Sequence, residues 1–190
     1  MDEETDEALY GAWHGGDAEA GNRLARRYTR PLLRFFLNKV PDVAEDLMQR
    51  TFLDTVGSGP PPDELRSFRA LLFGVARKQL FRYFEGRGEL KGEDMMSRVS
   101  LADLATTPTQ RIAREQDRDL IHRALATLPM DDQIAIELYY WQKLSVPEVA
   151  NALSISAGGM RAKLHRARAK LREAYFELSD GASLDGFEDA

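Results

Sequence analysis

Apolar residues recur along this chain at three- and four-residue spacing, the period of one face of a helix, and predict an all-α fold. Thr5 to His14 (TDEALYGAWH) reads as a short amphipathic helix with Leu9 and Trp13 four apart. Asp17 is placed to cap a longer helix through Leu37, with Leu24, Tyr28, Leu32, Phe35 and Phe36 on one side. Pro31 is expected to kink or divide it, because proline removes a backbone donor and crowds the preceding turn. A third helix runs from Val43 to Val56, with Leu47, Phe52 and Val56 apolar and Glu45, Asp46 and Asp54 facing solvent. GSGPPP (57–62) marks a loop. A fourth helix starts at Asp63 or Ser67 and ends near Glu85. Residues 86–108 lack sustained periodicity and read as a linker, with a short ordered piece at Val99 to Leu104. Helix resumes from Thr109 to Thr127, stops at Leu128-Pro129, and begins again in DQIAIELYYW under an Asp131 cap.

The most informative stretch follows, from Leu144 to Arg172. Ser145-Val146-Pro147-Glu148 has the form of a capping box, with proline tolerated in the first turn. Val146, Val149, Ala150 and Leu153 make the apolar face of a short helix. Ser154-Ile155-Ser156 interrupts the pattern, and a second helix begins near Gly158. There Met160, Leu164, Ala167 and Leu171 form a narrow stripe that must face a core. The opposite side carries Arg161, Ala162, His165, Arg166, Ala169 and Arg172. Six Lys or Arg and no acid lie between Arg161 and Arg172. A solvated basic face would give the same charge pattern; the short capped helix ahead of it favours a helix-turn-helix that enters a DNA major groove.

The fourth helix is unusual. Phe68, Leu72, Val75 and Gln79 define one face, while Phe73, Arg77, Leu80, Phe81 and Phe84 gather on another. Between Arg66 and Arg82 there are five bases and no acid. Aromatic rings among cations suit single-stranded DNA, where bases stack and phosphates pair. Burial on two sides of a bundle is the competing reading, and periodicity alone favours it.

Composition narrows the classes. The 190 residues, 43% of them apolar, suffice for one large or two small cores. With no cysteine there is no disulfide framework, thiol nucleophile or cysteine-based zinc site, and His14, His122 and His165 are scattered. No cofactor or metal is expected, and no nucleophile–base set suggests an enzyme. No apolar run approaches membrane-spanning length, and the acidic start MDEETD is the reverse of a signal peptide, so a soluble cytoplasmic protein is expected. The net charge of −5 is unevenly spread. Residues 1–19 and 173–190 hold thirteen of the 31 acids and none of the 26 bases, leaving a positive body between acidic ends.

Four segments in order give the chain a family likeness: DVAEDLMQRTF (42–52), SFRALLFGVARK (67–78), LPMDDQIAIELYYWQKLSVPEVANAL (128–153) and ISAGGMRAKLHRARAKLRE (155–173). Through them it resembles a bacterial RNA polymerase sigma factor of the extracytoplasmic function (ECF) type. The resemblance implies two small helical domains on a flexible linker: 1–88 binding the clamp of polymerase core and melting the −10 promoter element, a linker over 89–110, and a four-helix domain over 111–178 that reads −35 duplex with its helix-turn-helix. Residues 179–190 would be an acidic tail. It places Arg161, Ala162, His165 and Arg166 in the −35 groove, with Lys163 and Arg168 on flanking phosphates. Arg66, Arg69, Arg77 and Lys78 would lie along the melted −10 strand, and the loop from Gly57 to Asp63 would take up a flipped base. Glu45, Asp46, Gln49 and Arg50 would face polymerase core.

Departures from the family pattern are informative. Lys78 stands where asparagine is common, and Gly159 where threonine is usual. Arg50 stands where the family usually has an acid, a change that should weaken docking on a basic clamp. A phosphate on the adjacent Thr51 would restore negative charge, so phosphorylation of Thr51 by a Ser/Thr kinase is a candidate activating switch. The competing reading keeps Thr51 structural. Two domains on a linker also make clamping by an anti-sigma factor plausible, although no residue shows it. The rival function is a helix-turn-helix regulator that binds duplex DNA without polymerase core.

Overall fold

A computed structural model describes residues 4–104 and 120–179. Its regular structure is helical: α1 (Asp6–His14), α2 (Ala18–Leu37), α3 (Ala44–Gly57), α4 (Phe68–Gly86), α5 (Leu120–Ala126), α6 (Met130–Ile136), α7 (Val146–Ala152) and α8 (Ala157–Leu178). The described chain divides into two compact units. One comprises residues up to Tyr83 together with Leu144–Ser156; the other comprises Phe84–Lys143 and the chain from Ala157 onward.

In the first unit the helix starts are set by short polar side chains. Thr5 accepts the Ala8 N–H, and Asp17 accepts those of Glu19 and Ala20 at 2.9 and 3.2 Å. The α2 stripe of Leu24, Tyr28, Leu32, Phe35 and Phe36 is buried as its spacing predicts. Pro31 does not divide the helix. One lost backbone bond is outweighed by burial of Tyr28 and Leu32 on either side of it. Ion pairs from Arg23 to Glu4 and from Arg27 to Asp6, both 2.7 Å, tie α2 to the chain around α1. Tyr28 also donates to Asp6; burial and that bond push its phenol well above the usual range.

Helix α4 is the centre of this unit. Phe68 packs against Tyr10 and Tyr28, with ring centroids 5.8 and 5.4 Å away, and Phe73 against Phe35 at 5.8 Å. Its first turn is capped twice: Ser67 Oγ accepts the Ala70 N–H at 3.2 Å, and Glu7 of α1 accepts the Phe68 N–H at 3.0 Å. Between Gly57 and Pro61 the chain turns under Tyr10, whose hydroxyl donates to the Pro60 carbonyl at 2.7 Å.

Two helices in this unit end in the same way. After α1, Gly16 N–H reaches the Trp13 carbonyl and Asp17 N–H the Ala12 carbonyl, both at 2.9 Å; after α7, Ser154 N–H reaches Asn151 and Ile155 N–H reaches Ala150 at 3.1 and 2.9 Å. Both are Schellman turns, which need a left-handed residue at the same place. Gly16 takes φ +101 at no steric cost, while Ser154 takes φ +57 with a side chain.

The second unit is built on α8. Leu125, Leu128, Ile136, Ala167 and Leu171 form its core, flanked by half-buried Ile121, Tyr140, Trp141 and Tyr175. The ordered piece expected at Val99 to Leu104 belongs to this unit. Ala102 N–H bonds Ala126 O and Met130 N–H bonds Val99 O, both at 3.0 Å, and Leu101 and Leu104 are buried. Asp131 is not a cap: Pro129 holds that place, α6 starts at Met130, and Asp131 is buried in the first turn. The helix then widens into a π-turn, Glu137–Trp141, closed by Gln142 N–H to Glu137 O at 3.1 Å. The helix predicted from Thr109 is described only from Leu120; its earlier part, and the end of the linker, lie outside the described residues.

Candidate nucleic-acid interface

On α8 the core stripe is the one the spacing predicts, with Met160, Leu164, Ala167 and Leu171 all buried. The remaining positions separate into two classes. Arg161, Ala162, His165 and Arg166 are exposed, as are Ala169 and Arg172. Lys163 and Arg168 instead bond to their own unit. Lys163 Nζ lies 2.7 Å from Asp132 Oδ1, with its side chain only 16% exposed, and Lys170 takes the other oxygen at 2.8 Å. Arg168 donates to the Tyr140 hydroxyl at 3.2 Å. Of the six residues expected on −35 DNA, four face solvent and two hold the helix to its own core. Ala162 among exposed cations leaves room for a base edge to approach.

Before α8 stands the capped helix α7. Ser145 N–H and hydroxyl both donate to Glu148 Oε2, at 2.8 and 2.7 Å, completing the predicted capping box. Glu148 Oε1 takes the Ser67 hydroxyl at 2.8 Å. Burial pushes this carboxyl up, but the bonds from Ser145 and Ser67 and the charge of Arg69 outweigh it and hold it below the usual range.

On α4 the expected strand contacts separate in the same way. Arg66 and Lys78 are exposed and Arg69 is half-buried. Arg77 is a correction: it is only 7% exposed. It lies on the helix face of Phe73, Leu80 and Phe84, all buried, and therefore cannot run along a nucleic-acid strand. Phe68, Phe73, Phe81 and Phe84 are likewise buried, so these rings are core and not a stacking platform.

On α3, Glu45, Asp46, Gln49 and Arg50 share an exposed face. Arg50 pairs with Asp46 one turn earlier, at 2.9 Å, neutralising one of the two acids. Leu53, 73% exposed, extends the same face; sequence reading missed it because Phe52 beside it matched the expected apolar stripe. Thr51 points the other way. Its side chain is 0% exposed and its hydroxyl donates to the Leu47 carbonyl at 2.7 Å. Ala44, Leu47, Thr51 and Thr55 are the buried positions of α3.

Three comparisons bear on this arrangement. Residues 118–171 match the family model for sigma-70, region 4. The RNA polymerase sigma-E factor of Streptomyces coelicolor is 30% identical over 145 residues, covering 75% of this chain and 78% of that protein. The ECF RNA polymerase sigma factor SigL of Mycobacterium tuberculosis is 31% identical over 159 residues, covering 77% and 84%. In fold, the chain is similar to CnrH, solved in complex with the cytosolic domain of CnrY, with a TM-score of 0.64 at 22% identity over 94% of this chain and 99% of that one. Among the described residues no helix is long and apolar enough to cross a membrane. An acid-free recognition helix, a capped helix before it and full-length likeness to these relatives agree, and the chain belongs to the ECF family of RNA polymerase sigma factors.

Proposed function

We propose that this sigma factor reads −35 duplex through Arg161, Ala162, His165 and Arg166, and meets the opened −10 strand through Arg66, Arg69 and Lys78. The observation that carries the reading is the division on α8: the four groove candidates are exposed, while Lys163 and Arg168 are spent on Asp132 and Tyr140. Polymerase core would dock on the α3 face of Glu45, Asp46, Gln49 and Arg50, with Leu53 as its apolar anchor. CnrH was solved in complex with a separate protein, and a partner of that kind, an anti-sigma factor, fits a chain of two units.

Control by a Ser/Thr kinase at Thr51 keeps its charge logic, since Arg50 and Asp46 cancel on the docking face. Access is the obstacle. A kinase needs the hydroxyl, and burial requires α3 to turn out of the bundle before modification. Run-off transcription on a promoter library, with purified core and with or without the chain, tests the whole reading. Transcripts that need the chain and share two spaced upstream elements are expected. Duplex binding by the chain with no gain of transcription would favour the polymerase-independent regulator.

A further inference from the structure

Helix α7 is the first helix of the helix-turn-helix, yet it belongs to the same compact unit as α4. Ser67, the cap of α4, donates to Glu148, the capping-box acid of α7, at 2.8 Å. One carboxylate thereby joins the starts of two helices that are 81 residues apart in sequence at this bond. Seven residues further along α4, Gly74 faces the end of α7. A Cβ at Gly74 would lie 3.3 Å from the Ala152 carbonyl oxygen and 3.5 Å from its Cα. Glycine inside a helix costs about 1 kcal/mol relative to alanine, and close approach of α7 gives this one a purpose. A cleft of about 350 Å³ runs along the seam, lined by Arg66, Ser67, Lys78, Asn151, Ala152 and Ser154.

We propose that this seam is an autoinhibitory clasp, in which α7 occupies the face of α4 that the −10 strand must take. The inference rests on the reading given under Proposed function. Length decides it: the two promoter elements are about 25 base pairs apart, or roughly 85 Å of B-form duplex at about 3.4 Å per pair. Helices bonded at 2.8 Å cannot sit on both elements at once. The clasp must therefore open when the promoter is engaged, and Arg66 and Lys78, which line it, become available in the same step. The bond is a single charge-assisted one at a half-exposed carboxylate, so core and promoter together can displace it.

The chain has no cysteine, so Gly74→Cys with Ala152→Cys introduces the only two thiols. Disulfide formation, followed by gel mobility under mild oxidation, reads the clasp directly. It is expected to be fast in the free chain and at least tenfold slower in the complex with polymerase core and promoter DNA. Ser67→Asp keeps a good cap for α4 but sets a second carboxylate against Glu148, and should slow crosslinking of the free chain by a similar factor. The oxidised double variant should not support transcription until dithiothreitol reopens it. Equal crosslinking rates in the free and promoter-bound states, failure of the free chain to crosslink, or full transcription by the oxidised variant would each overturn the clasp. Each single-cysteine variant transcribes if the sigma reading holds, so silence from those and from the wild-type chain would count against that reading instead.

Discussion

Lys163 sits on the recognition helix, but its ammonium is bonded at 2.7 Å to Asp132, a carboxylate on α6 whose side chain is 8% exposed. Arg166, three residues on, is exposed. The two cations should therefore fail differently when removed. Lys163→Ala is expected to cost about 1–3 kcal/mol of stability, because it strips a partner from a buried charge that Lys170 only partly satisfies. Arg166→Ala should change stability by less than about 0.5 kcal/mol and weaken −35 duplex binding. Urea denaturation and fluorescence anisotropy with labelled duplex separate the two. If Arg166 contacts phosphate, the salt slope of binding falls by about 1.

How far such distinctions can be read from sequence depends on how one-sided a helix is. The α8 stripe was legible because burial falls on one face, so period and burial agree. On α4 burial falls on both faces, which leaves little amphipathic signal, and Arg77 looked like any other cation between aromatics. The anchoring of Lys163 and Arg168 was not legible, since Asp132 and Tyr140 are 31 and 28 residues distant and only the fold brings them close. Thr51 was a matter of polarity outweighing spacing. It lies four residues after Leu47, on the buried face, but a hydroxyl beside an exposed Arg50 suggested solvent.

At Thr51 the burial makes a specific forecast. Thr51→Val removes only the bond to Leu47 and should cost about 1 kcal/mol. Thr51→Asp, the usual imitation of a phosphate, buries a charge with no partner among Ala44, Leu47 and Thr55, and should cost about 3–5 kcal/mol. Thermal denaturation of the two variants checks this. An aspartate variant as stable as wild type would mean that α3 turns easily, which would revive kinase access to the folded chain.

The neutralised docking face can be tested by charge. Arg50→Glu releases Asp46 and adds an acid, and is expected to tighten binding to polymerase core about tenfold if the clamp is basic. Leu53→Ala should leave the melting temperature unchanged and weaken core binding by a similar factor. Surface-based binding measurements with immobilised core suffice for both.

Glu148 supplies a pH dependence. Its carboxyl is held below the ordinary 4.5 in the folded chain, so its stabilisation is present above that value and is lost as pH falls through the folded value. Glu148→Gln should lower the melting temperature at neutral pH, and the gap to wild type should close as pH drops below about 4.5. A gap that stays constant down to acid pH would show that the ionised form carries no weight in the capping box.

Two positions around the turn before α8 are occupied by the less suitable residue. Ser154→Gly relieves a left-handed serine and should add about 1 kcal/mol. Gly158 lies inside the first turn of α8, and a methyl added there would meet nothing within 4 Å. It should accept alanine with a gain of about 0.5–1 kcal/mol. Chemical denaturation midpoints measure both. Because the gains act on a turn and a helix start, they should add.

The π-turn at Glu137–Trp141 has a consequence for descent. Each such turn carries one residue more than the α-turn it replaces, so everything after it is rotated by about 100° relative to an uninterrupted helix. Tyr140 reaches Arg168 from that widened turn. A relative with one residue fewer at this place would hold a regular helix and aim a different side chain at the recognition helix. Insertion or loss of one residue here is thus a single heritable step that re-pairs the polar anchor of α8 while its buried stripe stays as it is.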